Sequence, residues 1–372
     1  MSLSSALTFL AVATASLVTR TAHAGLQTCH FDGTGSDGQN VYDVRRVEYF
    51  SATSFNPTAW RCDANNGQCS LSGYVISKHH TAAGQPAIVF LHGSEGGAPG
   101  FQPVADDQSL TVYSCPIKRF VDNGYVVFMP FRRGVVDQTD PSMLPVNADT
   151  HRTAQTGWSN TGWAANAWAI HQVQQQGVAM NIDNYDGQYI TYLDMEIDDL
   201  IPAINRLDNF VRPDMTANLV DPTRIAIVGH SIGGAMATFA SSDDDLYDPS
   251  NIPHGPRAFV SLSGAAMSYH ESHWWHDVLT GAAAINNAPL VFTRVLDEDA
   301  RTPNDFASAQ EPFAARGAFP QKSGMALFSP VNATCSASVS PWQCAHTAFV
   351  TNSAQIDRWF PFVNDTLHID GM

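Results

Sequence analysis

Residues 224–234 read Arg224-Ile225-Ala226-Ile227-Val228-Gly229-His230-Ser231-Ile232-Gly233-Gly234. The apolar run before Gly229 predicts a strand buried on both faces of a parallel sheet, and residues 232–241 predict a helix. Between them, Gly-x-Ser-x-Gly is the pattern of a nucleophile elbow, a strained strand-to-helix turn with no room for side chains at the glycines. The pattern predicts Ser231 as a nucleophile above the sheet edge, at a helix N-terminus that favours developing negative charge. An ordinary glycine turn is the alternative interpretation.

The alternation of strand and helix continues on both sides of this stretch. Two antiparallel strands are predicted near the N-terminus, at 47–50 and 71–76. Further buried strands are predicted at 87–91, 125–129, 258–262 and 290–295, and helices at 115–123, 193–210 and 353–367. Pro202 predicts a kink or a late start in the second of these helices, and Pro361 a break in the last. The order predicts an α/β fold whose mostly parallel central sheet carries helices on both faces.

A second glycine-rich turn follows the strand at 87–91 and reads His92-Gly93-Ser94-Glu95-Gly96-Gly97. Such a turn lets a backbone amide point at the oxyanion that forms when an ester carbonyl is attacked. The amides of Ser94 and Ile232 are therefore the predicted pair of oxyanion-hole donors. A phosphate-binding loop is the alternative, and it is disfavoured because no Gly-Lys-Ser/Thr sequence follows.

With two further motifs, these turns resemble a known family. The motifs are Phe131-Arg132-Arg133-Gly134 and Asp221-Pro222-Thr223-Arg224, the second leading directly into the strand before Ser231. Together they resemble the dienelactone hydrolase and prolyl-oligopeptidase-like branch of the α/β-hydrolase superfamily. The resemblance covers residues 47–367 except 137–188. It implies the α/β-hydrolase fold and a catalytic triad in the chain order serine, acid, histidine.

The resemblance also proposes the two partners of Ser231. The acid should follow the next-to-last strand, where Asp297-Glu298-Asp299 stands, and the family's spacing to a following proline favours Asp299. Asp297 and Glu298 remain alternatives because strand ends shift by a few residues. His346 lies before the last predicted helix in the small-His-x-x-Phe context of the family's base. Such a base takes the nucleophile's proton and returns it to the leaving group, and no cofactor is implied.

Residues 137–188 form a stretch that is too long for a simple connection between elements. It contains Trp158, Trp163 and Trp168. We expect an insertion over the carboxyl edge of the sheet, where ligands bind in open α/β sheets. A cap over the site and a peripheral decoration both remain open.

The N-terminal 24 residues have the pattern of a signal peptide. An apolar run at 6–18 is followed by Ala22-His23-Ala24, a small-x-small cleavage motif. The run is shorter than the ~20 residues of a membrane span, and no later stretch is apolar enough to cross a membrane. The pattern predicts a secreted or periplasmic protein whose catalytic domain covers residues 25–372.

All six cysteines lie after this cleavage point, as expected for an oxidising compartment. Six cysteines allow many connectivities. The arrangement with the shortest local loops pairs Cys62 with Cys69 and Cys335 with Cys344, which leaves Cys29 and Cys115 as a long-range link.

Charge and metal-ligand patterns exclude other classes of function. A net charge of −16, from 35 acidic and 19 basic residues, repels phosphate backbones and disfavours nucleic acid as a partner. His270, His273 and His276 recur in steps of three, a spacing that does not hold three imidazoles together on one helix face. No metal site is predicted.

These observations favour a secreted or periplasmic serine hydrolase that cleaves carboxylic esters through an acyl-enzyme. A serine peptidase acting on short peptides is the first alternative, and a binding protein that keeps the fold without activity is the second. The substrate is expected to be a small ester or peptide. The acyl preference and the oligomeric state are not fixed by the sequence.

Overall fold

The computed structural model describes the elements that surround Ser231. The described residues are 29, 31, 34, 40–50, 70–92, 113–130, 197–262, 290–295, 324–328 and 348–369. The strands are β1 (Tyr42–Phe50), β2 (Ser70–Lys78), β3 (Gln85–Leu91), β4 (Val126–Pro130), β5 (Val220–His230), β6 (Ala258–Leu262), β7 (Leu290–Val295) and β8 (Gly324–Phe328). The helices are α1 (Ser114–Asp122), α2 (Leu200–Asp208), α3 (Ile232–Ala240) and α4 (Ser353–Ile369), with a 3₁₀ turn at Asp244–Leu246.

The eight described strands form one sheet in the order β1-β2-β4-β3-β5-β6-β7-β8. β2 pairs antiparallel with both β1 and β4, whereas all pairs from β4 through β3 to β8 are parallel. The strand-to-helix turn that carries Ser231 follows β5, in the middle of the sheet. This is the topology of the α/β-hydrolase fold, and it confirms the predicted fold class.

Helices cover both faces of the sheet because β3 and its neighbours are apolar on both sides. Ala87, Val89 and Leu91 belong to a core cluster with residues of α2 and α3, including Leu200, Ile204, Met236 and Ala237. Ile88 and Phe90 point the other way, into a cluster with residues of α1 and α4, including Ile117, Phe120, Trp359 and Val363. The period of two along a strand thus distributes one apolar run between two layers.

Two strands, β5 and β8, depart from the sequence predictions for reasons that the structure shows. β5 begins at Val220, before the predicted Arg224, but its pairing with β3 is irregular between Gln85 and Ala87 and becomes regular from Ile225. The irregular part contains Pro222, which has no N–H to donate to a neighbouring strand. β8 is not predicted by the sequence patterns, since its five residues include a glycine and an alanine, both poor strand formers.

The prolines act differently in the two helices that contain them. α2 starts late, at Leu200, so that Pro202 lies in the first turn, where amides have no intrahelical acceptor. α4 continues through Pro361 without the predicted break. Buried residues lie on both sides of this proline, among them Ile356, Trp359 and Val363, so packing holds the two halves of the helix together.

The predicted signal peptide at 1–24 and the insertion at 137–188 lie outside the described residues. No helix in the described part of the chain combines the length and apolarity needed to span a membrane.

Candidate active site

Ser231 has a backbone conformation that L-residues rarely adopt. Its φ is 59° and its ψ is −124°, and it caps the N-terminus of α3 directly after β5. His80 is the other non-glycine residue with positive φ in the described ranges. Such strain persists only where the surrounding structure fixes it. The predicted sharp turn between strand and helix is therefore present at Ser231.

The glycines on either side of Ser231 are required by close backbone contacts. A Cβ at Gly229 would lie 1.9 Å from the carbonyl oxygen of Gly233. A Cβ at Gly233 would lie 2.2 Å from the carbonyl oxygen of Leu91, at the end of β3. Both distances are far below van der Waals contact, so the first turn of α3 can pack this closely only with glycine at both positions.

Backbone hydrogen bonds join the turn to the neighbouring strand. The amide of Ser231 donates to the carbonyl of Leu262 at 3.0 Å, which continues the β5–β6 ladder by one residue. The amide of Gly234 donates to the carbonyl of Ser231 at 2.9 Å. Ile232 is the first residue of α3, where an amide has no intrahelical acceptor and is available to an external oxyanion.

His230, the residue before Ser231, is fully buried and contacts the start of α1. Its Nδ1 lies 3.3 Å from the hydroxyl of Tyr113, within hydrogen-bond distance, and the two rings meet edge to face at 5.7 Å. Tyr113 is itself buried and packs against Phe90 of β3. Sequence patterns did not single out Tyr113, because it stands 117 positions before His230 and belongs to no motif.

The other predicted site residues lie outside the described residues, namely Ser94, His346 and the Asp297–Asp299 cluster. For two of these predictions, the structure shows where the preceding strand ends. β3 ends at Leu91, three residues before Ser94, and β7 ends at Val295, two residues before Asp297. Because β3, β5 and β7 are parallel, their carboxyl ends lie at the same edge of the sheet as Ser231.

The Asp221–Arg224 motif has a structural role at the opposite edge. The carboxylate of Asp221 accepts hydrogen bonds from the amide and the hydroxyl of Thr223 at 3.0 and 2.7 Å. These bonds hold the pKa of Asp221 below its usual value. Arg257 donates from Nε to the carbonyl of Thr223, and its amide donates to the carbonyl of Ile225. The motif thus stabilises the first residues of β5, at the end of the strand opposite to Ser231.

Cys29 and Cys115 lie at bonding distance, with their sulfur atoms 2.11 Å and their Cα atoms 4.9 Å apart. This is the long-range pair expected from the sequence, and the other two expected pairs lie outside the described residues. The amide of Cys29 also donates to the hydroxyl of Ser114 at 3.0 Å. Cys29 thus lies against the start of α1, next to Tyr113.

No group of three or more potential metal ligands occurs in the described part of the chain. His270, His273 and His276 lie outside it.

Comparisons with known proteins find similar solved structures of low sequence identity. No protein-family model and no curated protein matches the chain. Similar solved structures include an acylaminoacyl peptidase from Pyrococcus horikoshii, with 14% identity, a TM-score of 0.48, and coverage of 88% of this chain and 42% of that one. A dienelactone hydrolase from Anabaena variabilis has 12% identity and a TM-score of 0.41, with coverage of 86% and 99%. A dienelactone hydrolase-like promiscuous phosphotriesterase from metagenomic libraries has 13% identity and a TM-score of 0.45, with coverage of 88% and 99%.

The names of these structures agree with the branch that the sequence motifs resemble. The chain spans less than half the length of the acylaminoacyl peptidase. At such identities, and with TM-scores below 0.5, the likeness itself carries no argument about this chain. The strand order and the turn at Ser231 establish the fold independently.

Proposed function

We propose that the chain is a serine hydrolase that cleaves carboxylic esters, with Ser231 as nucleophile, His346 as base and Asp299 as acid. The observation that carries the proposal is the left-handed backbone of Ser231, at φ 59°, between two glycines that admit no Cβ. Strained non-glycine residues cluster at functional sites. A serine held in this way between a buried strand and a helix is the arrangement of a hydrolase nucleophile.

In the proposed reaction, Ser231 Oγ attacks the ester carbonyl carbon while His346 accepts its proton. The carbonyl oxygen becomes an oxyanion that accepts hydrogen bonds from the amides of Ile232 and Ser94. The C–O bond to the alcohol then breaks, and His346 returns the proton to the departing oxygen. Water hydrolyses the acyl-enzyme by the same steps, and Asp299 holds the imidazole in the required tautomer throughout.

The proposal includes export of the chain after removal of residues 1–24. It is supported by the Ala22-His23-Ala24 motif and by the approach of Cys29 to Cys115, since disulfides persist in oxidising compartments. N-terminal sequencing of the exported protein is expected to start at Gly25. An exported chain that still starts at Met1 would contradict the predicted cleavage.

Labelling with a fluorophosphonate probe tests the nucleophile. The wild-type protein should be labelled and should hydrolyse p-nitrophenyl butyrate, and Ser231→Ala should abolish labelling and lower kcat by roughly a thousandfold or more. Ser241→Ala is the matched control, a buried serine just after α3 whose hydroxyl donates to the carbonyl of Thr238. An unlabelled wild-type protein would point to a binding protein. Faster turnover of aminoacyl p-nitroanilides than of esters would point to a peptidase.

Single substitution of the two aspartates tests the acid. We expect Asp299→Asn to lower kcat by about a thousandfold or more, because an amide cannot stabilise the imidazolium or select the correct tautomer. Asp297→Asn serves as its control and is expected to stay within about tenfold of the wild-type kcat. A larger loss from Asp297→Asn, measured on the same ester, would transfer the role of acid to Asp297.

A further inference from the structure

A groove lies between the end of β1 and one face of α2, and we call it the β1–α2 groove. Its volume is about 540 Å³, within the ~300–1,000 Å³ that is typical of small-molecule sites. One wall consists of Pro202, Asn205, Arg206 and Asn209, which recur in steps of three and four, the spacing of a single helix face. The other wall is Glu48–Phe50, the last three residues of β1. All of these residues belong to the described part of the chain.

The apolar part of the groove is an exposed aromatic ring. Phe50 is 47% exposed, and among the described residues Val211, at 41%, is the other large hydrophobic residue exposed to this extent. Contact of the ring with water is unfavourable, so a ligand that covers it with C–H groups gains free energy. The ring thus provides a flat apolar platform beside polar side chains.

Two carboxamides of the helical wall have acceptor oxygens left for a ligand. Nδ2 of Asn205 donates to the carbonyl of Asn251, and Nδ2 of Asn209 donates to the carbonyl of Asn205, both at 2.8 Å. A backbone carbonyl binds only the NH₂ end of a carboxamide, so these bonds fix the orientation of both groups. Neither Oδ1 accepts a hydrogen bond from a described residue. Each asparagine therefore presents an oriented acceptor.

The charged side chains of the groove have opposite signs. Nε of Arg206 donates to the carbonyl of Glu48 at 3.2 Å, and the guanidinium lies 5.9 Å from the ring of Phe210. These contacts leave the Nη groups of Arg206 as donors. The carboxylate of Glu48 is at an exposed position and forms no ion pair with a described residue. A positive and a negative group in one groove favour a neutral ligand, and the net charge of −16 disfavours an anion further.

We propose that the β1–α2 groove binds a neutral sugar with equatorial hydroxyls, a function that goes beyond the proposed hydrolysis and does not depend on it. Such a ring has C–H groups on both faces and hydroxyls around its rim. One face covers the ring of Phe50. Hydroxyls at the rim donate to Oδ1 of Asn205 and Asn209 and accept from Arg206, since a hydroxyl is both a donor and an acceptor.

A peptide strand fits the same groove less well. A peptide that extends a sheet pairs with the free backbone groups of an edge strand, and β1 is the edge strand here. The carbonyl of Glu48 is already bound by Arg206 at 3.2 Å, so pairing is blocked at this position. The polar side chains of the groove, rather than the backbone of β1, are therefore the groups available to a ligand.

The groove lies at the same edge of the sheet as Ser231 but is well separated from it. β1 is antiparallel to β2, and β2 is antiparallel to β4, so β1 runs in the same direction as β3 and β5. Phe50 therefore lies at the carboxyl edge of the sheet. Four strand spacings of ~4.8 Å separate β1 from β5, which is roughly 19 Å. A single sugar in the groove does not contact Ser231, and the two sites are distinct.

Isothermal titration calorimetry with two neutral tetrasaccharides tests the inference. The ring hydroxyls of β-linked glucose and xylose are equatorial, so cellotetraose and xylotetraose present open C–H faces to an aromatic ring. We expect at least one of them to bind the purified protein saturably, with a Kd on the order of 1 mM or lower. Absence of saturable binding of both sugars up to about 10 mM would overturn the inference.

Substitutions at exposed positions locate the bound sugar. Phe50→Ala removes the platform and should weaken binding at least about tenfold, and Asn209→Ala removes an acceptor and should weaken it about fivefold. Val211→Ala is the matched control, because it truncates the other exposed large apolar side chain outside the groove and should leave Kd within about twofold of wild type. All three variants should melt near the wild-type temperature, since the three positions are exposed. An unchanged Kd in Phe50→Ala or Asn209→Ala would overturn the assignment to this groove.

The outcomes separate this inference from the proposed function. Ser231→Ala should bind the sugars as the wild type does, because the two sites share no residue. Sugar binding by a protein that is inert to the ester and the probe would support the inference and overturn the proposed function alone. Ester hydrolysis without sugar binding would overturn the inference alone. Binding of a short threonine–valine peptide in place of both sugars, weakened by Phe50→Ala, would identify a groove for peptide strands and would also overturn it.

Discussion

Gly229 and Ser231, two positions apart, place opposite steric demands on the chain. Ser231 adopts a conformation that glycine would reach more easily, and Gly229 leaves no space for the single carbon that every other residue carries. A side chain is therefore present where the proposed chemistry requires one, at the expense of backbone strain. It is absent where the backbone of α3 passes closest to β5.

The close contact at Gly229 gives a stability prediction. Gly229→Ala should lower the free energy of unfolding by more than about 3 kcal/mol, because the new Cβ would meet backbone 1.9 Å away. Gly84→Ala is the control, since Gly84 has a positive φ of 73° but nothing within 4 Å of a new Cβ. It should lose only the ~1 kcal/mol of a left-handed conformation. Equal losses in urea denaturation would contradict the steric explanation.

Asp208 carries a carboxyl group that is buried without a hydrogen-bond partner among the described residues. The residue is 6% exposed. Burial raises its pKa from 3.8 to about 6, although His254 acts in the opposite direction. The residue also ends α2, where the helix dipole disfavours negative charge.

The raised pKa of Asp208 predicts how stability depends on pH. The folded protein holds the proton of the Asp208 carboxyl more tightly than the unfolded chain does. The contribution of this protonated carboxyl to the free energy of unfolding is therefore fully present below pH 3.8 and is lost as the pH rises through about 6. The loss is on the order of 2–3 kcal/mol. Asp208→Asn should remove this fall from urea denaturation series between pH 4 and 7. Asp248→Asn is the control, because Ser250 lowers the pKa of the exposed Asp248 and the fall should persist. An identical fall in Asp208→Asn would contradict the assignment.

At the scale of elements, α4 is anchored by one tryptophan. Trp359 of α4 is fully buried facing α1, where it stacks on Phe349 at 5.7 Å and lies near Phe120. Its indole Nε1 donates to the carbonyl of Phe349 at 2.8 Å. Phe349 stands three residues after His346, so this bond fixes the chain close to the predicted base.

Replacement of this tryptophan should therefore affect both stability and catalysis. Trp359→Phe loses the hydrogen bond and leaves a void, and we expect the free energy of unfolding to fall by about 2–4 kcal/mol. The kcat for p-nitrophenyl butyrate should fall as well, because Phe349 is no longer held. Asp365→Ala, at an exposed position of the same helix, should change stability by less than about 0.5 kcal/mol. A stable Trp359→Phe variant would show that other contacts hold α4.

At the scale of the whole molecule, the approach of Cys29 to Cys115 predicts a disulfide between Cys29 and the start of α1. Such a bridge across 86 residues would restrict the unfolded chain strongly, by ~4.6 kcal/mol in the loop-entropy model. Cys29→Ser should lower the melting temperature of the oxidised protein, and a reducing agent should lower that of the wild type. Mass spectrometry under non-reducing conditions should recover a peptide that contains both cysteines. Recovery of Cys115 with a different partner would contradict the pairing.

The sequence alone determined the architecture and the turn that carries Ser231, whose role as nucleophile is a prediction. Alternating apolar runs predicted the central parallel sheet, and β6 and β7 occur at their predicted bounds. Gly-x-Ser-x-Gly predicted the turn at Ser231, because the steric requirements of such a turn determine which residue types can stand directly beside the serine. The predictions for Ser94, Asp299 and His346 stand on motif and chain order and remain predictions.

Only the tertiary structure brought distant residues into contact. Three such contacts leave no periodic signal in the sequence. They are the pairing of Tyr113 with His230, the approach of Gly233 to β3 and the burial of Asp208 without a hydrogen-bond partner among the described residues. β8 also needed its neighbour, since a five-residue segment with a glycine and an alanine becomes a strand by pairing with β7. The physical reason is the separation along the chain of the residues that interact. A turn is dictated by adjacent residues, whereas packing depends on how the whole sheet assembles.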